Sequence, residues 1–531
     1  MLAEKRSISG TAEAKRHRAA AKGYRFHGCA PALPRDDMAK AKKIAADADG
    51  NAFWAAQMLH AARKHKGSKY AIAPKIIYML ETAGQRLERD PGNAYAFAIV
   101  TAAELNEVYR AEERGDDRYK KYMPLDPETG EPKAINFKSE HFCQTEIAGQ
   151  VPVYETGKGA VRARIHTCGK AWTCPICAAK IAVRRNAEIR IILEKAIAEG
   201  KEPRMITLTA PHYAGHRLLR VAEKMQKAYG HFNDSWSIKN LRKDYGVIGR
   251  IKAMETLIGR NGWNNHFHVV YLFGWELNEE EAAKVLTIIE EQWKKSCIYA
   301  RVLDPENEKQ MAAFEAHAVN MRKDFDASYL TKQAFEWQRE HKFTVIDGEI
   351  RFSQKRKGGA CTVFGRIARG ARLAAMGRYT IWAMERDREI LIEYGCAMHK
   401  RSMVQCSKGL KAWAALDEDK TDEEICREME ENGELLGGFD REQHAFVRSH
   451  GLWRSFKKML KEDRAEAIEK MNRVFAANGL RPFYSKEAME RLMDGGVAAS
   501  PDFDAPKTKA FAKAVGVRSK PPLPLEQGSL F

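Results

Sequence analysis

The sequence has no run of 18 apolar residues, and its opening, MLAEKRSISG, lacks the apolar stretch of a secretory signal. A membrane span and export are therefore not expected, and a soluble, cytoplasmic protein with no membrane partner is. No internal repeat is evident, so a solenoid is a poor reading. Acidic residues are in deficit: 71 Asp plus Glu face 89 Lys plus Arg, a net charge of +18. That balance favours a polyanionic partner, nucleic acid first. The chain is nevertheless 44% hydrophobic and 30% charged, which excludes a wholly disordered protein, and 531 residues allow two to four folded units.

The text divides by composition. Residues 1–33 carry seven Lys or Arg against two Glu and read as a basic flexible arm. Residues 34–120 are helical in pattern, as in AFWAAQMLHAARKH, and predict an all-helical N-terminal domain. Between 136 and 412 short β-like runs (RMITLTA, RIKAMETLI, HFHVVYLF, FTVIDGEIRF) alternate with helical stretches, the signature of an α+β domain. Residues 413–497 read as a helical C-terminal region, and 498–531 as a Pro-rich flexible tail.

The segment RIKAMETLIGRNGWNNHFHVVYLF places His266 and His268 two apart on a strand, so both imidazoles point to one face. Asn261-Gly262 is the dipeptide that a type I′ hairpin prefers. That turn sets Glu255 opposite His268 with His266 as its diagonal neighbour, and an even shift of register keeps all three on one face. Two imidazoles and a carboxylate suit Mg²⁺ or Mn²⁺ acting on phosphate, or Zn²⁺; the bland counterpart is a hydrogen-bonded strand cluster. Downstream, KDFDASYLTKQAFEWQ reads as a helix opening at Asp324, with Asp326, Tyr329, Lys332 and Glu336 on one polar stripe. A phenol, an ammonium and a carboxylate so placed suit phosphoryl transfer, with Tyr329 as nucleophile.

Of the ten cysteines, Cys168, Cys174 and Cys177 have motif spacing, C-x5-C-x2-C, and look like ligands of a structural Zn²⁺, the fourth being Cys143 or His166. Their alternative is a set of reduced thiols without metal.

RMITLTAPH at 204–212, His-x-His at 266–268 and Tyr-x-x-Lys at 329–332 occur in the order that resembles the HUH endonuclease superfamily, in particular the rolling-circle replication initiators of bacterial plasmids and phages. CGKAWTCPICAAKIAVRRNAEI and EYGCAMHKRSMVQCSKGLK extend the likeness from about Cys143 to Lys411. The resemblance implies a central five-stranded antiparallel sheet, a divalent cation held by Glu255, His266 and His268, and attack of Tyr329 on one origin phosphodiester, leaving the protein on the 5′ phosphate. Lys332 would support the developing charge. Relaxases place the tyrosine before the histidines, whereas here it follows. Position 333 is Gln, so the second tyrosine of two-tyrosine enzymes is absent, and Phe325 stands where some relatives carry a water-activating carboxylate. Asp326 is the candidate for that role.

Lys355, Arg356 and Lys357, then Arg366, Arg369 and Arg372 at helical spacing, form a basic stripe suited to a phosphate backbone, or simply a solvated face. The terminal Gln527 to Phe531, with Gln527, Leu530 and Phe531 as anchors, resembles the peptide with which bacterial replication proteins grip the sliding clamp. The expected partner is single-stranded or hairpin origin DNA. An HUH transposase or mobilisation nuclease, and a non-enzymatic zinc-containing DNA-binding regulator, stay open as alternatives.

Overall fold

The computed structural model describes residues 74–494, apart from short stretches at 91–92, 134, 138, 141–142, 148, 158, 341–342, 347–348, 353–359, 377–380, 417–419 and 428–432. The basic arm, Lys355 to Lys357 and the C-terminal clamp-like peptide lie outside the described residues. Helices α1 (Pro74–Arg89) and α2 (Tyr95–Leu105) come first, then the hairpin β1 (Gln150–Thr156) and β2 (Gly159–Arg162). The long helix α3 (Pro175–Ala198) leads to β3 (Glu202–Leu208) and α4 (Leu218–Asp234). A second, longer hairpin, β4 (Gly249–Gly259) and β5 (Gly262–Phe273), precedes α5 (Glu279–Tyr299) and β6 (Val319–Arg322). A 3₁₀ turn, Ala327–Leu330, then opens onto α6 (Gln333–Glu340). The small hairpin β7 (Phe343–Ile346) and β8 (Glu349–Phe352) is followed by α7 (Val363–Ala375), α8 (Ile381–Met398) and β9 (Val404–Cys406). Strand β10 (Glu434–Asp440) and the helices α9 (Arg441–Ser449), α10 (Trp453–Glu462), α11 (Arg464–Ala477) and α12 (Lys486–Met493) complete the described chain.

The fold is α+β. Its main sheet has five strands in the order β6-β3-β5-β4-β9, every adjacent pair antiparallel, with β5 at the centre. Strand alternation gives the sheet two chemically distinct faces. Glu255, His266 and His268 share one, while Lys252, Met254, Phe267 and Val269 project from the other. Both faces of β5 are covered, so the strand is buried from Asn265 to its end.

Helices α4 and α5 cover the Phe267 face: the Tyr229 and Phe267 rings lie 5.2 Å apart, and Phe232 meets Trp293 edge-on at 5.8 Å. Trp293 is fully buried and donates its indole N–H to the Thr209 carbonyl at 2.8 Å, which removes the cost of burying that donor. Helix α5 starts where Asn278 and Glu281 form a reciprocal capping box, with Glu279 and Glu280 adding favourable charge at the dipole's positive end.

The β4–β5 reversal differs from the type I′ turn expected. Gly259 pairs with Gly262, so Arg260 and Asn261 form the turn, and Gly262 takes the left-handed conformation with φ 82°. A side chain there would meet the Tyr213 carbonyl oxygen at 2.6 Å, a second reason for glycine. The register consequently shifts by two residues, and Glu255 faces His266 directly rather than His268. An even shift keeps the three side chains on one face.

Helices α1 and α2 share the hydrophobic core that contains the main sheet: Leu80, Leu87, Val100 and Leu105 belong to the same buried cluster as Phe267 and Ile367. Helix α1 crosses α7 at Gly84, where a Cβ would come within 1.9 Å of the Ala371 carbonyl oxygen. A second core lies under the three-stranded sheet β10-β1-β2, built from Val151, Val153, Phe439, Trp453, Phe456 and Phe475. Among the described residues no helix is long and apolar enough to cross a membrane.

Candidate active site

Glu255 is the meeting point of the site. Its Oε2 lies 3.0 Å from His266 Nε2, 3.0 Å from His268 Nε2 and 3.0 Å from the Lys332 ammonium. All three ligand-type side chains are buried, Glu255 at 3% exposure and His268 at 2%. Burial alone would push the Glu255 carboxyl up. The hydrogen bonds from His266 and His268, with the charges of His266 and Lys332, outweigh it and hold the group well below the usual carboxylate range. Burial pulls the His268 imidazole down to about 4 against the opposing hydrogen bond it donates to Glu255. His268 is therefore neutral near pH 7, with a ring nitrogen lone pair to offer.

The ligand atoms of Glu255, His266 and His268 all lie within 4.8 Å of one another. Octahedral bonds of about 2.1 Å put neighbouring ligands about 3 Å apart, and the two carboxylate–imidazole separations match that edge. The donor set, two imidazoles and one carboxylate, thus fits a divalent cation that keeps further positions for water or phosphate oxygens. Thr207 Oγ1 lies 3.0 Å from His268 Nδ1, the contact that orients a ligating imidazole from behind. No role for Thr207 is evident from the sequence alone. Its signal was its place in RMITLTAPH, but only the β3–β5 register, which pairs it with His268, reveals the contact.

The tyrosine segment departs from the expected helix. Strand β6 runs to Arg322, and the helical turn opens at Asp326, not Asp324, because the Asp326 side chain caps it by accepting the Ser328 N–H at 2.7 Å. Asp326 is thereby an exposed cap, not a member of a stripe with Tyr329 and Lys332. Lys332 follows the turn and folds back over Tyr329. The ammonium sits 3.5 Å from the ring centroid, and the Tyr329 ring meets the His268 ring edge-on at 5.0 Å. Gln333 secures the segment to the sheet. Its side-chain amide accepts the Thr256 N–H at 3.0 Å and donates to the Thr256 carbonyl at 3.2 Å and to the Tyr394 hydroxyl at 2.9 Å.

A second metal-type cluster joins Cys143, Cys168, Cys174 and Cys177, all buried. The sulfur separations Cys143–Cys177, Cys168–Cys177 and Cys174–Cys143 are each 3.6 Å. A tetrahedral Zn²⁺ with sulfur bonds of about 2.3 Å implies about 3.8 Å, so the quartet fits that ion. Cys143, rather than His166, completes it. Cys174 occupies the N-cap position of α3 without a side-chain cap bond, and Cys177 lies in the first turn, its thiol held well below the usual range by hydrogen bonds from Cys143, Cys168 and Cys174. Cys426 is a neighbour that spacing could not reveal, its thiol 3.9 Å from the Cys177 carbonyl.

The basic stripe on α7 is engaged internally. Arg366 pairs with Asp387, Arg369 donates to the Glu340 carbonyl, and Arg372 is half-buried.

Two relatives share part of the chain. "Protein rep" of Streptomyces lividans is 28% identical over 165 residues, 26% of this chain and 36% of that protein. "Neomycin resistance protein" of Streptomyces cyanogenus is 25% identical over 185 residues, 28% of this chain and 42% of that protein. The chain thus spans well under half the length of these curated relatives. No solved structure matches the chain. Residues 161–447 match the replication protein family, a span that begins in β2, takes in the His-pair hairpin and the Tyr329 turn, and ends in α9. Since that span exceeds half of the 531 residues, the chain belongs to the replication protein family.

Proposed function

We propose that this protein initiates rolling-circle replication of a plasmid or phage genome by nicking one DNA strand at the origin, with residues 136–412 carrying the chemistry. The observation that carries this reading is the convergence of Glu255, His266 and His268 within one ligand shell, with Tyr329 5.0 Å from His268, ring to ring. A Mg²⁺ or Mn²⁺ held by these three side chains would polarise the scissile phosphate and offset its growing charge. The Tyr329 hydroxyl loses its proton and its oxygen attacks phosphorus. The bond to the 3′ oxygen breaks, that oxygen takes up a proton, and the chain is left joined through Tyr329 to the 5′ phosphate. Lys332, over the ring and against Glu255, would support the charge that builds on the phosphate. Cys143, Cys168, Cys174 and Cys177 would hold a structural Zn²⁺, and origin DNA, single-stranded or in a hairpin, is the substrate. After nicking, rejoining reverses the same step with the free 3′ hydroxyl as nucleophile.

Incubation with a labelled single-stranded origin oligonucleotide and Mn²⁺ tests this reading. The wild-type protein should form a covalent adduct that survives denaturation and release a fragment with a free 3′ hydroxyl. Tyr329→Phe should lower adduct formation by about a thousandfold or more. An adduct of equal yield in Tyr329→Phe, or none with any divalent ion, would remove the nicking assignment.

A further inference from the structure

The sheet face opposite the histidines carries a charge imbalance of its own. Arg250 and Lys252 alternate with Glu255 on β4 and project away from the His pair, toward α4. With Arg401 they line a cleft of about 680 Å³ beside edge strand β9. Lys252 is nine-tenths buried. Its ammonium lies over the rings of Tyr229 at 4.7 Å and Phe267 at 5.2 Å, and its hydrogen-bond acceptor is Gln226 Oε1 at a long 3.4 Å. Arg250 donates to the Tyr229 hydroxyl at 3.2 Å, and Arg401 to the Ala397 carbonyl at 2.8 Å.

Three other cations of the same cleft have counter-charges. Arg185 pairs with Glu188 and Asp422, Lys411 with Glu188, and Lys170 with Glu423. Among the described residues, no carboxylate makes an ion pair with Arg250, Lys252 or Arg401; Glu223 influences Arg401 from beyond that range. Burial and the like charges of Arg250 and Arg401 pull the Lys252 ammonium down to about 8. Buried cations without a counter-ion are costly, and a ligand that supplies the missing negative charge is bound correspondingly well.

We propose that this end of the cleft is a phosphate-binding site that takes the backbone of a DNA strand, on the side of the sheet away from Tyr329. The rim is formed by the exposed residues Lys400, Ser402 and Gln405, so a polymer can pass along it rather than having to be enclosed. The anion site stands on its own geometry; the choice of DNA as the phosphate carrier rests on the function proposed above.

The test uses the full chain with Lys252→Met and, in parallel, Arg401→Gln. In phosphate-free buffer Lys252→Met should unfold at or above the wild-type temperature, since it removes an uncompensated charge. Inorganic pyrophosphate should raise the unfolding temperature of the wild type but not of either variant. In buffer without Mg²⁺ or Mn²⁺, where cleavage stops, Lys252→Met should bind a labelled oligonucleotide about tenfold more weakly. The slope of log K against log salt should fall by about one. Nicking of a saturating oligonucleotide should be unchanged. Equal pyrophosphate shifts in all three proteins would overturn the anion site. Unchanged oligonucleotide affinity and salt slope, with stabilisation by a deoxynucleoside triphosphate instead, would overturn DNA as its occupant. Absence of nicking by the wild-type protein, with Lys252-dependent binding intact, would count against the nicking assignment alone, and loss of nicking in Lys252→Met only would overturn the separation of this site from the chemistry.

Discussion

At the scale of residues, one carboxylate oxygen organises the site. Glu255 Oε2 accepts from two imidazoles and an ammonium, and Glu255 supplies the carboxylate of the set that converges with His266 and His268. Glu255→Ala should therefore weaken Mg²⁺ or Mn²⁺ binding at least about tenfold in calorimetry, and a wild-type affinity would take Glu255 out of the ligand set. The three residues were legible from the period of two along β4 and β5, because facing depends on parity alone. Their pairing was not. Sequence favours Asn-Gly at the reversal, but the packing of Gly262 against Tyr213 moved the turn back by one residue and the register by two. Asp326 shows the opposite failure. Helical spacing put it beside Tyr329, while the unsatisfied N–H of Ser328 claimed its carboxylate as a cap.

At the scale of elements, the Tyr329 turn must be held against a strand it does not pair with. Gln333 does this as a surrogate peptide group, bonding both the N–H and the carbonyl of Thr256, the residue next to Glu255. In the sequence Gln333 stands out for what it is not, a second tyrosine; its contact with β4 depends on how a distant segment packs and leaves no periodic trace. Gln333→Ala should cost about 1–3 kcal/mol of stability by leaving two buried backbone groups unpaired. As a positioning residue it should also lower the nicking rate at saturating DNA with less effect on DNA affinity, and Gln333→Glu should not restore it, since a carboxylate has no N–H for the Thr256 carbonyl. Equal rates in Gln333→Ala and wild type would show that the turn seats itself without this bond.

At the scale of the whole molecule, two buried clusters tie distant parts of the chain together. The Cys143, Cys168, Cys174 and Cys177 quartet links the segment before β1 to the start of α3, and elemental analysis should find one Zn²⁺ per chain, lost with Cys174→Ser. The other cluster docks the N-terminal helices. Arg388 of α8 pairs with Glu104 of α2 and donates to Glu385 at 2.8 Å, all three buried. Burial, reinforced by the charges of Glu104 and Glu107 and opposed by Arg388 and Arg118, raises the Glu385 carboxyl to about 7. An acid whose pKa is higher folded than unfolded binds its proton more tightly in the native state. Its contribution is complete below about pH 4.5 and is lost as pH rises through about 7. Glu385→Gln imitates the protonated acid and leaves Arg388 its Glu104 partner. Denaturant melts should therefore show the variant about 1–3 kcal/mol more stable than wild type at pH 8, with the gain shrinking toward zero by pH 5. A variant less stable than wild type by the same amount at both pH values would mean that Glu385 is ionised throughout, and that the attraction of Arg388 outweighs the cost of burying the charge.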